Sequence, residues 1–224
     1  TMFSDADLTF GTVTDDDGNE VELTHGNYVQ LMESEDRNVR KQAFELLYGR
    51  YKEFNNSISV MYNYNVKHDV IMSRMRKYES TLDSALSGEC IPISVYENLI
   101  DAVHRSLPAM HRYMELRKRA LGVDELKMYD VYRPLVKPEG LKCSFEEAVA
   151  IACKALAPLG EEYVSVLRKG LTEERWVDIY ENKGKTSGAY SFGSYDSYPY
   201  ILMNYSGDLR DVFTLVHEGG HSMH

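Results

Sequence analysis

The sequence predicts a mainly α-helical fold with two small β-hairpins, one near the N-terminus and one before the last helix. Most of the 224 residues fall in segments whose apolar side chains recur every three or four positions, the spacing of one buried helix face. Two segments depart from this pattern. Residues 7–23 carry apolar side chains on both sides of an Asp/Gly-rich turn, and residues 182–205 are rich in glycine and tyrosine. Each of these segments therefore predicts a hairpin.

Composition and charge narrow the class of protein. Hydrophobic residues make up 43% and charged residues 27%, which is typical of a globular protein with a substantial core. The formal net charge of −10 argues against nucleic acid as a partner, because a phosphate backbone requires a basic surface. No apolar run approaches the roughly 20 residues of a membrane span, and no signal peptide is visible. The three cysteines are odd in number and form no C-x-x-C pair, which favours a reducing, cytoplasmic setting. Without an apolar run of that length, no membrane partner is expected.

The first half of the chain predicts a short helix after the hairpin and then a long helical stretch. The predicted buried face of that stretch comprises Val39, Ala43, Leu46, Leu47, Phe54, Ile58, Met61 and Tyr62, and continues with Val66, Ile71 and Met75. Residues 55–57 are where we expect it to bend or break. Gly88 and Pro92 then interrupt the pattern, and they divide the chain into predicted domains of residues 1–88 and 89–224.

The second half predicts several shorter helices. The first should bury Val95, Leu99, Ala102, Val103, Met110 and Met114, with Pro108 kinking or restarting it. Residues 128–137 predict extended chain, and helices follow from Ser144, from Pro158 and from Thr172. The last of these should carry Trp176, Ile179 and Tyr180. His104 and His111 lie seven apart in the first of these helices, and we expect a surface or packing role because nothing else converges on them.

The last predicted helix carries the pattern H-E-x-x-H. Asp208 or Ser206 can cap it, and its predicted buried face is Leu209, Val212, Phe213 and Val216. His217 and His221 are four apart, so their Cβ atoms lie about 5–6 Å apart on one face. Both imidazoles can then bind one Zn²⁺ at about 2.0–2.1 Å. Glu218 lies about 100° round the helix, where it can reach a catalytic water without being a ligand.

Two histidines do not complete a catalytic zinc site, which has three protein ligands and a water. His224 shares their face, but we expect it to orient a ligand or substrate. Glu181 and Asp196 are candidate carboxylates without a spacing argument, and the third ligand is expected beyond residue 224. The alternative is a surface helix end with incidental histidines. Against it, Gly219 and Gly220 each cost about 1 kcal/mol in a helix, which indicates that substrate or a neighbouring helix approaches that backbone.

The glycine- and tyrosine-rich segment allows two interpretations. One is an ordinary hairpin with tyrosines on a half-buried face. The other is an open sheet edge that pairs with an extended peptide, where glycines permit close backbone approach. The second interpretation assigns peptide binding to Gly188, Ala189, Tyr190, Gly193, Tyr195, Tyr198 and Pro199.

Residues 216–224 resemble the zinc helix of oligoendopeptidase F, within the thimet-oligopeptidase-like zinc metallopeptidases. Further similar stretches occur in the same order along the chain, at residues 5–8, 23–26, 39–41, 124–130, 184–190 and 194–200. The resemblance implies a helical zincin-type fold around a deep cleft, one Zn²⁺ per complete site and cleavage of short peptides inside the cell. It makes His217 and His221 zinc ligands and Glu218 the general base. In the family the third ligand, a Glu, and the tyrosine and histidine near the oxyanion come later in the chain.

One position departs from the family pattern. Family members usually have a larger residue where this chain has Gly219, so we expect a looser metal helix. The resulting hypothesis is a zinc-dependent endopeptidase for short peptides, with this chain as an internal fragment that holds zinc weakly and cleaves nothing alone. Two alternatives stay open: a non-catalytic helical peptide-binding or scaffold module with an accidental motif, and a related zinc carboxypeptidase.

Overall fold

The computed structural model describes residues 8–136, 142–182 and 184–224. The α-helices are α1 (Tyr28–Met32), α2 (Arg37–Glu53), α3 (Asn55–Met75), α4 (Thr81–Ser87), α5 (Ile93–Leu121), α6 (Phe145–Ala155), α7 (Glu161–Thr172) and α8 (Leu209–Met223). The strands are β1 (Thr12–Thr14), β2 (Glu20–Glu22), β3 (Val177–Asp178), β4 (Tyr190–Phe192) and β5 (Tyr200–Leu202). Short 3₁₀ helices occupy Met128–Asp130 and Ala157–Leu159. The predicted mainly helical class is confirmed.

The first hairpin and the first two helices enclose an N-terminal core. β1 and β2 pair antiparallel, with Val13 opposite Val21, and Asp15 Oδ1 accepts the backbone N–H groups of Asp17 and Asn19 in the turn. The predicted hairpin is thus confirmed over its described part, since residue 7 lies outside the described residues. The buried core residues are Leu8, Phe10, Val13, Leu23, Leu31, Met32, Val39, Ala43 and Leu47.

Helices α3, α4 and α5 form an extended region that we call the arm, residues 55–121. The predicted break is present but lies at Phe54, one residue before the predicted residues 55–57, because α2 ends at Glu53 and α3 begins at Asn55. α5 continues through Pro108 without restarting. The predicted domain boundary at Gly88 falls inside the arm, between α4 and α5, and stays a prediction.

The buried faces predicted for the arm are wrong. α4 is the arm element that contacts both long helices, so rows of apolar side chains along α3 and α5 meet solvent. The exposed members of the predicted faces are Met61, Tyr62, Val66, Ile71, Met75, Val95, Leu99, Val103 and Met110. The predicted helical period is present in both helices, but periodicity alone does not show which element covers a face.

A buried carboxylate closes the base of the arm. Asp130 is fully buried, and it accepts Arg37 Nη2 at 2.8 Å and Arg40 Nη2 at 3.0 Å. Arg117 of α5 donates Nη2 to the Asp130 carbonyl at 3.1 Å. The prediction of extended chain at residues 128–137 is therefore wrong over the described part, where a 3₁₀ turn aims Asp130 at the α2 arginines; residue 137 lies outside the described residues.

A C-terminal core forms where α6, α7 and α8 meet a three-stranded sheet of order β3-β5-β4. β3 runs parallel to β5, with Val177 opposite Ile201, and β4 runs antiparallel to it. The predicted capping box at Ser144 is confirmed, because its Oγ accepts the Glu147 N–H and the Glu147 carboxylate accepts the Ser144 N–H. The strand order β3-β5-β4 makes β5 the central strand, and one edge of β4 has no strand beside it in the described chain.

The helix predicted from Thr172 is wrong. In its place Ile201 N–H donates to the Trp176 carbonyl at 2.7 Å, and β3 follows directly. The Trp176 ring is buried against Gly170, where an added Cβ would lie 2.3 Å from the ring. Pairing with a strand more than twenty residues later thus overrides the local helical spacing. No helix in the described ranges is both long and apolar enough to cross a bilayer.

Candidate metal centre

Helix α8 begins at a reciprocal cap. The Asp208 side chain accepts the Asp211 N–H at 3.0 Å, and Asp211 Oδ2 accepts the Asp208 N–H at 3.2 Å. Asp211 Oδ2 also accepts the N–H groups of Ser206 and Gly207, at 2.7 and 2.8 Å. The cap predicted at Asp208 is confirmed, and it fixes the start of the helix that carries the two histidines.

The buried face of α8 differs from the predicted one. Val212 is buried as predicted, but Leu209 and Phe213 are 54% and 69% exposed, and the helix buries Leu215 and Gly219 instead. Because the core takes this second face, the row that repeats every four residues stays open. That row consists of Leu209, Phe213, His217 and His221, and both histidines are exposed.

The two imidazoles are close enough to share a metal ion. His217 Nε2 and His221 Nε2 are 3.2 Å apart, with ring centroids at 4.8 Å and an interplanar angle of 84°. Two ligands at about 2.0–2.1 Å from a tetrahedral Zn²⁺ lie about 3.3–3.4 Å apart. The pair therefore fits two neighbouring positions of a zinc site.

The rest of a ligand set is absent from the part of the chain that the structure describes. There, no group of three His, Cys, Asp or Glu side chains could hold a metal ion. His224 ends α8, and its backbone N–H donates to the His221 carbonyl at 3.3 Å. Of the candidate carboxylates, Glu181 accepts the Thr24 hydroxyl of the N-terminal core, and Asp196 is exposed in the β4–β5 connection.

Glu218 lies between the histidines in sequence but on the inner side of α8. It is 8% exposed, and its backbone carbonyl accepts the Ser222 hydroxyl at 3.0 Å. No described residue hydrogen-bonds its carboxylate. The carboxylate therefore has no hydrogen-bond partner among the residues that the structure describes.

The two glycines of the motif have different surroundings. A Cβ at Gly219 would lie 3.1 Å from Leu167 Cδ1 of α7, so a neighbouring helix is the close approach that this position accommodates. A Cβ at Gly220 would have nothing within 4 Å. Gly220 consequently borders open space.

The edge strand β4 lies beside α8. Tyr190 and Phe192 are exposed, at 48% and 73%. Ser191 points the other way, towards the helix, and its Oγ lies 2.8 Å from Ser222 Oγ. This hydrogen bond therefore connects the edge strand β4 to α8 at Ser222, one residue after His221.

The other predicted peptide-binding residues are more dispersed. The Gly188 carbonyl is occupied by Asn204, and Ala189 packs against the C-terminal core. A Cβ at Gly193 would lie 3.1 Å from Pro199 Cα, so this close backbone approach is internal to the hairpin. Tyr195 and Tyr198 are exposed, and Pro199 is half-buried. Of the predicted set, Tyr190 is the residue on the strand next to α8.

Two residues without a recognisable sequence motif hold the loop before β4. Asn204 Nδ2 donates to the carbonyls of Thr186 and Gly188, at 3.0 and 2.9 Å. The buried Lys185 Nζ donates to the Asp178 carbonyl at 3.1 Å and the Tyr180 carbonyl at 2.7 Å. Nothing in the local sequence signals either role, because each depends on how the loop folds back on β3 and β5.

Comparisons with known proteins identify the family of this chain. The family model described as Peptidase family M3 matches residues 30–224. Oligopeptidase PepF of Bacillus subtilis is 49% identical over 223 residues, which cover 100% of this chain and 33% of the relative. Group B oligopeptidase PepB of Streptococcus agalactiae is 45% identical over 223 residues, which cover 100% of this chain and 37% of the relative. The chain thus spans about a third of the length of the curated relatives it matches.

Solved structures support the same grouping. Oligoendopeptidase-F from Enterococcus faecium has a TM-score of 0.59 and 41% identity, covering 76% of this chain and 32% of that one. PZ peptidase A with an inhibitor has a TM-score of 0.75 at 22% identity, covering 96% of this chain and 39% of that one, and shows the fold alone. With the family model matching most of the chain, the chain belongs to peptidase family M3.

Proposed function

We propose that this chain is part of a cytoplasmic zinc-dependent oligoendopeptidase, with His217 and His221 as zinc ligands and Glu218 as the general base. The observation that carries the proposal is the 3.2 Å separation of the two Nε2 atoms on an exposed helix row beside an edge strand. The names of the similar proteins, oligopeptidase and oligoendopeptidase F, support the substrate class of short peptides. The activity belongs to the complete protein, whose other parts supply the third ligand.

The free edge of β4 is the proposed site of substrate alignment. An extended peptide added there gains main-chain hydrogen bonds, which are independent of its sequence and suit an enzyme for many short peptides. β4 contacts α8, so such a peptide runs past the row of His217 and His221. Tyr190 and Phe192 flank it with exposed aromatic surface. The predicted roles of Gly188, Ala189, Gly193, Tyr195, Tyr198 and Pro199 remain proposals with less geometric support.

The residues of α8 have separate roles in the proposed reaction. When bound, zinc supplies Lewis acidity that polarises the scissile carbonyl and makes an attacking water more acidic. Glu218 accepts the proton of that water and then donates it to the departing amine, as a general base and acid. His217 and His221 hold their positions because the opposite face of α8 is anchored in the core through Val212 and Leu215.

Substituting Glu218 tests the proposal directly. In the complete protein, Glu218→Gln should lower peptide cleavage by about 10²–10⁴-fold, because the amide cannot accept the proton. Zinc content should stay at the wild-type value, since Glu218 is not a ligand. Glu162→Gln on the exposed side of α7 is the matched control and should cleave normally. Full activity of Glu218→Gln would rule out the general-base role.

Two further measurements separate the alternatives. A complete protein that binds no zinc would indicate a non-catalytic peptide-binding module. Cleavage of peptides blocked at both ends distinguishes an endopeptidase from a carboxypeptidase, because the latter needs a free C-terminus. The 224-residue chain alone should bind zinc weakly and cleave nothing. One equivalent of tightly bound zinc in that chain would contradict the proposal that a third ligand comes from elsewhere.

A further inference from the structure

Two serine hydroxyls connect the edge strand to the backbone of the proposed general base. Ser191 Oγ of β4 lies 2.8 Å from Ser222 Oγ of α8. Ser222 Oγ in turn lies 3.0 Å from the Glu218 carbonyl, one turn earlier in the helix. These two contacts form a continuous hydrogen-bonded path from the strand to the Glu218 backbone.

The number of hydroxyl protons determines which serine donates and which accepts. A serine hydroxyl has one proton to donate and can accept through its lone pairs. Ser222 uses its proton on the Glu218 carbonyl, because that oxygen can only accept. Ser191 must therefore be the donor in the contact between the two hydroxyls, and Ser222 the acceptor.

The chain of hydroxyls is a specific connection rather than general packing. Tyr190 and Phe192 of β4 are exposed, so Ser191 is the residue of this three-residue strand that hydrogen-bonds α8 through its side chain. A helical serine can bond the carbonyl of the previous turn without any such partner. Ser165 of α7 does so, with Oγ at 2.9 Å from the Glu162 carbonyl.

We propose that Ser191 and Ser222 are positioning residues that set the distance between a peptide bound along β4 and the Glu218–His221 turn of α8. This inference rests on the proposed function, since it assigns these hydroxyls a role in that reaction. The strand holds the peptide backbone, and the two hydroxyls hold the strand. A peptide paired to β4 is thereby placed in one register relative to Glu218.

Removing either hydroxyl in the complete protein should loosen this register. Ser191→Ala and Ser222→Ala should each lower kcat about tenfold with KM changed less than about twofold, because a small misplacement of a reacting bond outweighs one lost hydrogen bond. The cleavage positions in a defined peptide should spread to neighbouring bonds. The double variant should lose no more than either single variant, since both remove the same connection. Ser191→Thr keeps a hydroxyl and should restore kcat.

Measurements without turnover complete the test. On a Glu218→Gln background, Ser191→Ala should leave the affinity for an uncleaved peptide within about twofold, while amide exchange at residues 190–192 becomes faster. Ser165→Ala removes the same kind of helical back-bond without a strand partner, and it should change none of these readouts.

Several results would overturn the inference. These are additive losses in the double variant, failure of Ser191→Thr to restore kcat, unchanged kcat in both alanine variants, and a loss confined to KM. Failure of the proposed function looks different, because wild-type protein would then show no cleavage or no zinc before any serine variant is compared.

Discussion

Helix α8 and the arm contain the same kind of sequence pattern and use it in different ways. In both, apolar residues recur at helical spacing and predict a buried face. α8 buries one face in the C-terminal core and exposes the row with Phe213, His217 and His221. In the arm, α3 and α5 leave much of their apolar surface exposed, including Tyr62 and Leu99 at 71% and 61%.

The difference teaches what a functional row requires. A histidine pair is useful only if the opposite face of its helix is held, and α8 is held by Val212 and Leu215. His104 and His111 of α5 are also exposed and on a helix, but they lie seven residues apart, which is two turns. Four-residue spacing and an anchored opposite face together distinguish the candidate metal helix α8 from a helix that merely carries histidines.

The largest expected effect is on zinc affinity, when His221→Ala is compared with His111→Ala in the complete protein. A zinc affinity of about 12 kcal/mol shared by three protein ligands gives about 4 kcal/mol each, or roughly a thousandfold in Kd. His221→Ala should lose that factor in a competition titration with a zinc chelator, and His111→Ala should lose nothing. Equal zinc affinities in the two variants would remove the distinction between the helices.

The next largest expected effect is a loss of stability when Asp130, at the base of the arm, is substituted. Asp130→Asn removes the carboxylate that Arg37 and Arg40 contact, and breaking such a buried pair costs about 3–5 kcal/mol in the free energy of unfolding. Urea unfolding of the chain followed by far-UV circular dichroism measures it. Arg133→Ala, which removes a contact with the exposed Glu35 carboxylate, is the control with a smaller loss. A stability equal to that of the wild type would show that the junction does not hold the arm.

The same carboxylate predicts how stability depends on pH. Burial raises the pKa of Asp130, but hydrogen bonds from Arg37, the Lys127 N–H and Arg40 outweigh it and lower the pKa to about 2. Because the folded pKa lies below the ordinary 3.8, the stabilisation is complete above that value and is lost as the pH falls towards 2. Wild-type chain should lose on the order of 2 kcal/mol over this range through Asp130. Asp130→Asn should lack this component in urea titrations at pH 5 and pH 2.5.

Leucines on the two kinds of surface give a third comparison. Leu215 of α8 is fully buried, so Leu215→Ala should cost about 2–5 kcal/mol in the free energy of unfolding. Leu99→Ala in α5 should change it by less than about 0.5 kcal/mol. Trp176, the one tryptophan of the sequence, is buried in the C-terminal core, and its fluorescence reports the unfolding of that core. Similar costs for both substitutions would mean that the arm surface is covered in solution.

The smallest effect should come from the exposed pair at the start of α8. Arg210 Nη1 contacts Glu33 Oε1 of the C-terminal end of α1 at 2.9 Å, but the Arg210 side chain is 56% exposed. Arg210→Ala should therefore cost less than about 1 kcal/mol, and less still at high salt. Urea titrations with and without 0.5 M sodium chloride test this. A loss comparable to that of Leu215→Ala would show that α8 depends on this pair as much as on its core.

The sequence predicted features that depend on neighbouring residues. The turn at Asp15, the caps at Ser144 and Asp208, and the four-residue spacing of His217 and His221 are all local, and the structure contains them. Their side chains bond backbone groups within a few positions, or share a face through helix geometry alone. Local patterns therefore predicted the helical class and the candidate metal pair.

The features that the sequence did not predict depend on distant contacts. β3 forms because Val177 pairs with Ile201, and Ser191 contacts Ser222 because the fold brings together residues 31 positions apart. The predicted buried face of α8 contains Val212 correctly but Leu209 and Phe213 wrongly, because these two are as apolar as the buried Leu215. Which apolar face is covered depends on the partner elements, and the helix's own sequence does not contain them.

The contact between Arg37 and Asp130 also bears on how much the length of the arm can vary. These residues lie 93 positions apart, so the contact closes a long loop that contains the whole arm. The entropy of closing a loop grows only with the logarithm of its length, about 0.6 kcal/mol for each doubling. A change in the length of the arm therefore adds little to the entropic cost of closing this loop, provided that Asp130 keeps its arginines.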